Sequence, residues 1–574
     1  MKELLLGNAA IARGLYEAGC SVASSYPGTP STEITECVSE YEEIYSEWAP
    51  NEKVAMEVAF GASLAGKRSF TGMKHVGLNV AADPLFTISY TGINAGMVIV
   101  VADDPGMHSS QNEQDSRHYA IAAKIPMLEP ADSQECLSYT KYAYELSEKF
   151  DTPVIIRTGT RIAHSQSVVE TSQRVEPPPV PYVKNIPKYV MMPGHAKARH
   201  PIVEQRTVDL RELAEDTFLN RVEMGGTEMG IITSGASYQY VKEAFGDSVS
   251  VLKLGMINPL PEKLITDFAA KVKKLIVVEE LDSIIEDHCK KLCLAVSGKD
   301  LFPLVDEYSQ NLIAEKLGVS TNPGRSLDDA IPQRPPVMCA GCPHRGLFYT
   351  LSNMKLTVLG DIGCYTLGST APLSAMDMTV CMGASISSLH GFNRAGGKNS
   401  VAVIGDSTFV HTGINGLIDI AYNGSASTII IVDNSTTGMT GHQHNPTTGY
   451  DIKGEPAGKI DLEALCKAIG ISRVRVVDPY DLAQCSNAIN EEIDTPEPSV
   501  IISRRPCVLL RSVETNPPLI ADNEKCTGCT LCMSVGCPAI SIKNDKATID
   551  ATLCTGCKVC SQLCNFDALA STQA

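Results

Sequence analysis

The end of this chain carries eight of its twenty cysteines in two runs, Cys526-x2-Cys529-x2-Cys532-x4-Cys537-Pro538 and Cys554-x2-Cys557-x2-Cys560-x3-Cys564. Thiolates are the ligands of iron–sulfur clusters, and paired runs of this spacing read as a module of two [4Fe–4S] clusters in which the fourth cysteine of each run serves the other cube. One cube is expected on Cys526, Cys529, Cys532 and Cys564, the other on Cys554, Cys557, Cys560 and Cys537. Neither run contains histidine, which argues against a pair of zinc knuckles. The extra residue before Cys537 and Asn565 after Cys564, where proline often stands, bear on loop shape rather than ligation. An earlier set is less explicit: Cys339 and Cys342 form a CxxC, and Cys364 and Cys507 each end an apolar run. Each alone reads as a core thiol; all four together could hold a third cluster.

A second constellation spans Gly405 to Thr436. The apolar run Val401–Ile404 ends in Gly405-Asp406-Ser407, a helical stretch follows, and the run Thr428–Val432 ends in Asp433-Asn434. Such a βαβ pattern predicts two parallel strands ending on one sheet edge, where ligands of open α/β sheets sit. Asp406 and Asn434 would face each other there, offering hard oxygen ligands of the kind Mg²⁺ shares with a diphosphate. An aspartate capping a helix would look the same locally. The full pattern, with asparagine near 28 residues on, resembles the thiamine diphosphate motif. Near the start, Glu52 and Glu57 lie on a helix rich in small residues. They read as solvated carboxylates, or Glu52 as a buried one facing an aminopyrimidine.

The elements that must position these groups are α/β throughout. Up to about residue 175, helical and β-like segments alternate, including Met97–Ala102 and Pro153–Ile156, which predicts a mostly parallel sheet. The first residues, MKELLLGNAAIARGLYEAG, read as an amphipathic helix without a signal-peptide cleavage pattern. In Tyr26-Pro27-Gly28-Thr29-Pro30-Ser31-Thr32, the prolines break any helix and Ser31 or Thr32 could cap the next. Prolines from Gln173 to Gly194 suggest an extended crossover. A second α/β unit follows, with strands Met229–Thr233 and Lys274–Val278 and helices Tyr238–Phe245 and Pro261–Ala270. A proline-rich boundary from Asn322 to Pro336 precedes the domain of Asp406, with further strands at Leu356–Leu359 and Val500–Ser503; Asn516-Pro517-Pro518 leads into the cysteine tail.

At 574 residues the chain has room for three or four cored domains, and 44% apolar with 20% charged residues is ordinary globular composition. A net charge of −18 argues against nucleic acid or an anionic membrane as partner, and leaves room for a basic electron-transfer partner. No apolar run reaches the ~18–20 residues of a membrane span. Cysteine in such numbers without a secretory leader points to metal ligation in the cytoplasm.

With GNAAIARGLYEAGCSVASSYPGTPSTEI, CAGCPHRG, GDIGCYTLG, CMGAS, GDSTF, VDNSTTGMTGHQ and the cysteine tail in view, nearly the whole chain resembles the 2-oxoacid:ferredoxin oxidoreductases, most closely the large subunits acting on aryl pyruvates. The resemblance implies a multidomain α/β protein. Its expected parts are a pyrimidine-binding thiamine domain at 1–175, a proline-rich linker or crossover at 176–225, and a transketolase-C-terminal-like α/β domain at 226–325. A pyrophosphate and Mg²⁺-binding thiamine domain at 335–512 and a two-[4Fe–4S] ferredoxin domain at 516–574 complete it. It implies thiamine diphosphate held between the two thiamine domains, with Asp406, Asn434 and the Thr436 carbonyl on Mg²⁺. Gly405, Ser407, Gly363, Cys364 and Gly383 would line the cofactor. Glu52 would hold a proton at the aminopyrimidine, Thr29 would lie near substrate, and Cys339, Cys342, Cys364 and Cys507 would hold the cluster nearest thiamine. Relatives acting on 2-oxoglutarate have a lysine after the asparagine; this chain has Thr440-Gly441-His442 there. That departure favours an apolar or aryl side chain on the substrate.

The implied reaction is oxidative decarboxylation of aryl pyruvates, indolepyruvate among them, with coenzyme A as acyl acceptor and electrons leaving through the clusters to an external ferredoxin. Branched-chain 2-oxoacids or phenylglyoxylate are the alternative substrates. A non-oxidative thiamine decarboxylase would not need the cysteine sets, and an electron-transfer subunit would not need Asp406, Asn434 and Glu52. Relatives with a complete reaction carry a further domain over the active site, for which no residues remain here. A smaller second subunit, docked over the cleft between the first and third domains in a heterotetramer of two pairs, is therefore expected.

Overall fold

The computed structural model describes residues 1–178, 180–319, 330–332 and 335–571. The chain divides into two compact units, residues 1–327 and 328–574.

The first unit is built on a seven-stranded sheet whose middle strands are Val154–Gly159, Met97–Asp103, Ser69–Lys74 and Val22–Ser25. These are parallel, and all seven residues of Met97–Asp103 are buried. A continuous apolar run of that kind is what a parallel strand covered by helices on both faces requires. The β-like runs Met97–Ala102 and Pro153–Ile156 lie in this sheet. The amino terminus departs from expectation: Lys2–Leu6 is a strand paired antiparallel with Gln166–Glu170, and the helix begins only at Gly7.

A second, five-stranded sheet contains Lys274–Val278, Met229–Ser234 and Ser250–Leu254 in parallel, with Gly235–Phe245 and Glu262–Ala269 as helices. It is not free-standing. The strand Met256–Asn258 leaves it to join the first sheet antiparallel to Met127–Leu128, and one apolar core draws on both, from Met73 and Ile99 to Leu252 and Phe268. The fully buried Arg117 adds a polar weld, pairing with Asp115 at 2.6 Å and with Glu279 at 2.5 Å.

The segment between the two sheets is only partly the extended crossover that its prolines suggest. Pro193–Glu215 is a 23-residue helix that contains Pro201. Its buried residues Val203, Arg206, Leu210 and Ala214 recur at helical spacing. Arg206 sits in that stripe and donates to the Ser89 carbonyl at 2.8 Å; a long-range polar anchor of this sort leaves little trace in local hydrophobic pattern. The proline-rich boundary from Asn322 to Pro336 falls largely outside the described residues.

The second unit holds a fully parallel sheet in the order Thr357–Leu359, Ser400–Gly405, Thr428–Asp433, Ser499–Arg504, Arg473–Val477. Ser400–Gly405 and Thr428–Asp433 are direct neighbours with Gly405 opposite Val432, so Asp406 and Asn434 leave the sheet at one edge. The tail consists of two small antiparallel pairs, Leu519–Ala521 with Leu569–Ser571 and Ile540–Lys543 with Lys546–Ile549, and two 3-10 turns, Leu531–Val535 and Cys560–Leu563. Its core sets Cys526, Cys532 and Cys560 among aliphatic residues such as Leu519, Val535, Ile540 and Leu569. Among the described residues, no helix is long and apolar enough to cross a membrane.

Candidate functional site

In the second unit, Asp406 is the first residue after its strand and only 2% exposed. Burial, and then the charge of Asp433, push its carboxyl up to about 7. Thr447 donates to its Oδ2 at 2.9 Å. The Asn434 amide faces the other oxygen. With nitrogen inward, it donates to Asp406 Oδ1 at 3.2 Å and to the Thr436 carbonyl at 2.8 Å. With oxygen inward, three oxygens meet at those spacings, and only a cation would hold them together. Octahedral Mg²⁺ places neighbouring oxygens about 3 Å apart. The donor set and its spacing thus fit Mg²⁺, and the same three residues close on themselves without it. Asn445 and Thr447, which support Asp406, went unsuspected in the sequence because they lie in a polar loop about 40 residues away.

The loop carrying Gly363 and Cys364 is fixed by Asp361, a fully buried carboxylate. It accepts from the N–H groups of Ile362 and Gly383 at 2.9 Å and of Ser385 at 3.0 Å. Burial raises its pKa, and those three N–H groups oppose the rise. Gly383 has φ +86° at the start of helix Ala384–Arg394, and an added Cβ would meet Thr412 Oγ1 at 2.3 Å. Gly405 packs against Tyr365, and the Ser407 hydroxyl accepts from Thr437 at 3.1 Å.

Beside this edge the structure brings together Cys339, Cys342, Cys364 and Cys507. Burial pushes Cys342 up to about 12 and Cys364 to about 11; Cys339 and Cys364 add to the first, Cys507 and Cys339 to the second. The Cys364 sulfur and the Asn434 amide both border Gly438, within 3.5 and 3.8 Å of where its Cβ would be.

In the tail, Cys526, Cys529, Cys532 and Cys564 line one cavity. The Cys532 thiol is raised by burial and then by those other three. Burial likewise raises Cys560, with Cys557, Cys537 and Cys554 adding to it. Cluster sulfurs commonly accept backbone N–H bonds. Ala547 donates to Cys526 Sγ at 3.4 Å, Ala568 to Cys564 Sγ at 3.3 Å and Leu519 to Cys554 Sγ at 3.4 Å. The Ala547 bond, with one from Gly528, lowers the Cys526 pKa toward the thiolate. Among the described residues no three His, Cys, Asp or Glu side chains close on a single metal ion; Cys526, Cys529, Cys532 and Cys564 line a cavity instead.

In the first unit, Glu52 opens helix Glu52–Leu64, capped by the Asn51 side chain accepting from Val54 N at 2.9 Å. Glu52 is 5% exposed, whereas Glu57 is exposed and paired with Lys53. Gly77 lies against the Glu52 carboxylate, so a Cβ there would fall 2.5 Å from Oε1. Thr29 is half-buried in the loop after Val22–Ser25. That loop is tied down by Asn8 donating to the Pro30 carbonyl at 2.7 Å. Ser31 precedes the helix Thr32–Ser39, but its hydroxyl bonds back to the Gly28 carbonyl at 2.8 Å instead of capping.

Lys74 was not picked out from the sequence. It ends the strand Ser69–Lys74, packs against Gly28, and is 7% exposed. Its ammonium donates to the Ser109 carbonyl, and burial lowers its pKa to about 8 against the pull of Asp104. A buried ammonium in a sheet-edge loop cluster marks a candidate anion site. Its only sequence signal is a lysine closing an apolar strand.

Residues 361–503 match the family model "Thiamine pyrophosphate enzyme, C-terminal TPP binding domain", and residues 13–211 match "Pyruvate flavodoxin/ferredoxin oxidoreductase, thiamine diP-bdg". The chain is 41% identical to indolepyruvate oxidoreductase subunit IorA of Archaeoglobus fulgidus, over 98% of this chain and 96% of that one. It is 40% identical to the subunit of the same name from Methanothermobacter thermautotrophicus, over 99% and 97%. A solved structure of 2-oxoglutarate:ferredoxin oxidoreductase from Magnetococcus marinus is similar over 55% of this chain and 65% of that chain, at 20% identity and a TM-score of 0.47.

Proposed function

The chain belongs to the family of indolepyruvate oxidoreductase IorA subunits, and on that premise we propose that it carries out the oxidative decarboxylation of aryl pyruvates with coenzyme A. The products are the arylacetyl-CoA, CO₂ and two reduced ferredoxins. The observation that carries the reading is the convergence of Asp406, Asn434 and the Thr436 carbonyl beside the Cys339, Cys342, Cys364 and Cys507 thiols.

Asp406, Asn434 and the Thr436 carbonyl would hold Mg²⁺ and through it a diphosphate. Gly405, Ser407, Gly363 and Gly383 shape the loops around them. Thiamine diphosphate, when bound, supplies the electron sink for decarboxylation. Glu52, buried at the start of its helix, would face the aminopyrimidine ring and hydrogen-bond to it. Lys74, at the end of its strand, and Thr29, in the loop whose Gly28 packs against it, would bind the substrate carboxylate. Where relatives acting on 2-oxoglutarate are expected to have a lysine this chain has Thr440-Gly441-His442, so selection of a second carboxylate is unsupported, which suits an aryl group.

The cysteine sets would hold three [4Fe–4S] clusters, one beside the Mg²⁺ site and two in the tail, forming a path to an external ferredoxin. A smaller second subunit completes the enzyme as a heterotetramer of two pairs. An anaerobic screen of 2-oxoacids with coenzyme A and a viologen dye tests the proposal. Arylacetyl-CoA with dye reduction supports it; free aldehyde, or no product, points to a non-oxidative decarboxylase or an electron-transfer subunit.

A further inference from the structure

Arg345 follows the CxxC of Cys339 and Cys342 by three residues and is 4% exposed. Among the described residues its guanidinium bonds to carbonyls and to no carboxylate. Nε donates to the Cys339 carbonyl at 2.9 Å and Nη2 to the Met338 carbonyl. Nη1 donates to the Val535 carbonyl at 3.0 Å and the Gly536 carbonyl at 2.5 Å. One planar group therefore clasps the loop that carries Cys339 and Cys342 to the tail turn that delivers Cys537. Carbonyl dipoles orient this cation but do not neutralise it.

A buried charge needs a counter-charge, or it costs several kcal/mol. Burial works against the Arg345 charge, and the groups that favour it are the thiols of Cys537, Cys342, Cys339 and Cys557. Two of these belong to the set beside Asn434 and two to the second tail set. Neutral thiols compensate poorly; thiolates binding a cluster would compensate well. The contacts around the clasp are as close: a Cβ on Gly341 would meet Thr555 Oγ1 at 2.0 Å, and one on Gly536 would meet Pro372 at 2.8 Å.

We propose that Arg345 is a positioning and tuning residue, a fixed positive charge that holds the two cysteine sets side by side and raises the reduction potential of the clusters on them. It rests on the cluster assignment proposed above. The direction follows from Coulomb's law: each electron that enters a cluster makes it more negative, and a buried cation close by stabilises the reduced form. Arginine suits the position because its planar fork reaches four carbonyls on two loops at once, which a lysine ammonium cannot.

The test is an anaerobic redox titration followed by EPR on the holoenzyme, comparing wild type with Arg345→Gln and Arg345→Lys, each with its iron counted. Arg345→Gln should keep its iron and shift cluster signals to more negative potentials, while Arg345→Lys should shift them less. Full iron with unmoved potentials in Arg345→Gln would overturn the proposal. If Arg345→Gln loses iron, Arg345→Lys decides: iron regained with near-wild-type potentials supports the charge, and iron lost equally overturns it. Wild type without the cluster on Cys339, Cys342, Cys364 and Cys507 would instead defeat the cluster assignment.

Discussion

The backbone N–H of Cys507 donates to the carbonyl of Asn434 at 2.9 Å. Strands Thr428–Asp433 and Ser499–Arg504 run in parallel with Asp433 opposite Arg504, and their pairing continues past the strand ends, where Arg505 N reaches the Asp433 carbonyl at 3.0 Å. One ladder thus sets both Asn434, of the proposed cation site, and Cys507, of the neighbouring cysteine set. The spacing of Asn434 and Cys507 is therefore set by the sheet, as pre-organised chemistry requires.

Asp406→Ala should weaken Mg²⁺-dependent thiamine diphosphate binding by more than roughly 100-fold, because Asn434 and Thr436 alone bring no charge to the cation. Iron content and melting temperature should stay near wild type. Calorimetry of cofactor binding checks this; near-native affinity would remove Asp406 from the site.

Glu52→Gln should retain cofactor and lose about 10²–10⁴-fold in turnover, while Glu57→Gln should be close to neutral. Gly77→Ala offers an independent check. Its methyl would fall 2.5 Å from Glu52 Oε1 and must displace the carboxylate. The expected cost is about 1–3 kcal/mol in stability, with turnover falling toward that of Glu52→Gln. A fully active Gly77→Ala would mean that Glu52 need not sit where it does.

Lys74 gives a pH dependence. Its folded pKa, about 8, lies below the ordinary lysine value. As pH rises through 8 the folded ammonium loses its charge, so KM for a 2-oxoacid should climb toward about tenfold per pH unit. Stability runs the other way. Between pH 8 and the ordinary lysine pKa the unfolded chain binds the extra proton, so stability contributed by this group increases with pH. Lys74→Met should raise KM at pH 7 and flatten the profile; an unchanged profile would remove Lys74 from substrate binding.

Iron analysis should return about twelve atoms per chain. Replacing Cys554 and Cys557 by serine should remove about four and leave the set beside Asn434 loaded. Point substitution is preferable to deleting the tail, because Arg345 donates to the Gly536 carbonyl and Gln562 to the Tyr480 carbonyl, tying the tail to the rest of the unit.

What was legible in the sequence was whatever is local. Val401–Ile404 and Thr428–Val432 are uninterrupted apolar runs, so their pairing and the meeting of Asp406 with Asn434 follow from topology alone. The tail cysteines advertise themselves by spacing. Lys74, Gly77, Asp361 and Arg345 did not, because each acts through a partner distant in sequence or through a backbone carbonyl, neither of which leaves a local pattern. The helix Pro193–Glu215 was hidden by Pro201 and by an arginine in its buried stripe. The fusion of the two sheets of the first unit rests on a shared apolar core, the three residues Met256–Asn258 and a buried arginine.

The proposed coupling joins decarboxylation of an aryl pyruvate to one-electron transfer through the clusters assigned to this chain. It is tested most directly by mixing the anaerobically purified chain and its second subunit with indolepyruvate, coenzyme A and oxidised ferredoxin, and quantifying acyl-CoA and reduced ferredoxin together. The account predicts two ferredoxins reduced for each indoleacetyl-CoA formed, with little of either from the chain alone. Aldehyde without ferredoxin reduction, or a full rate from the chain alone, would contradict it.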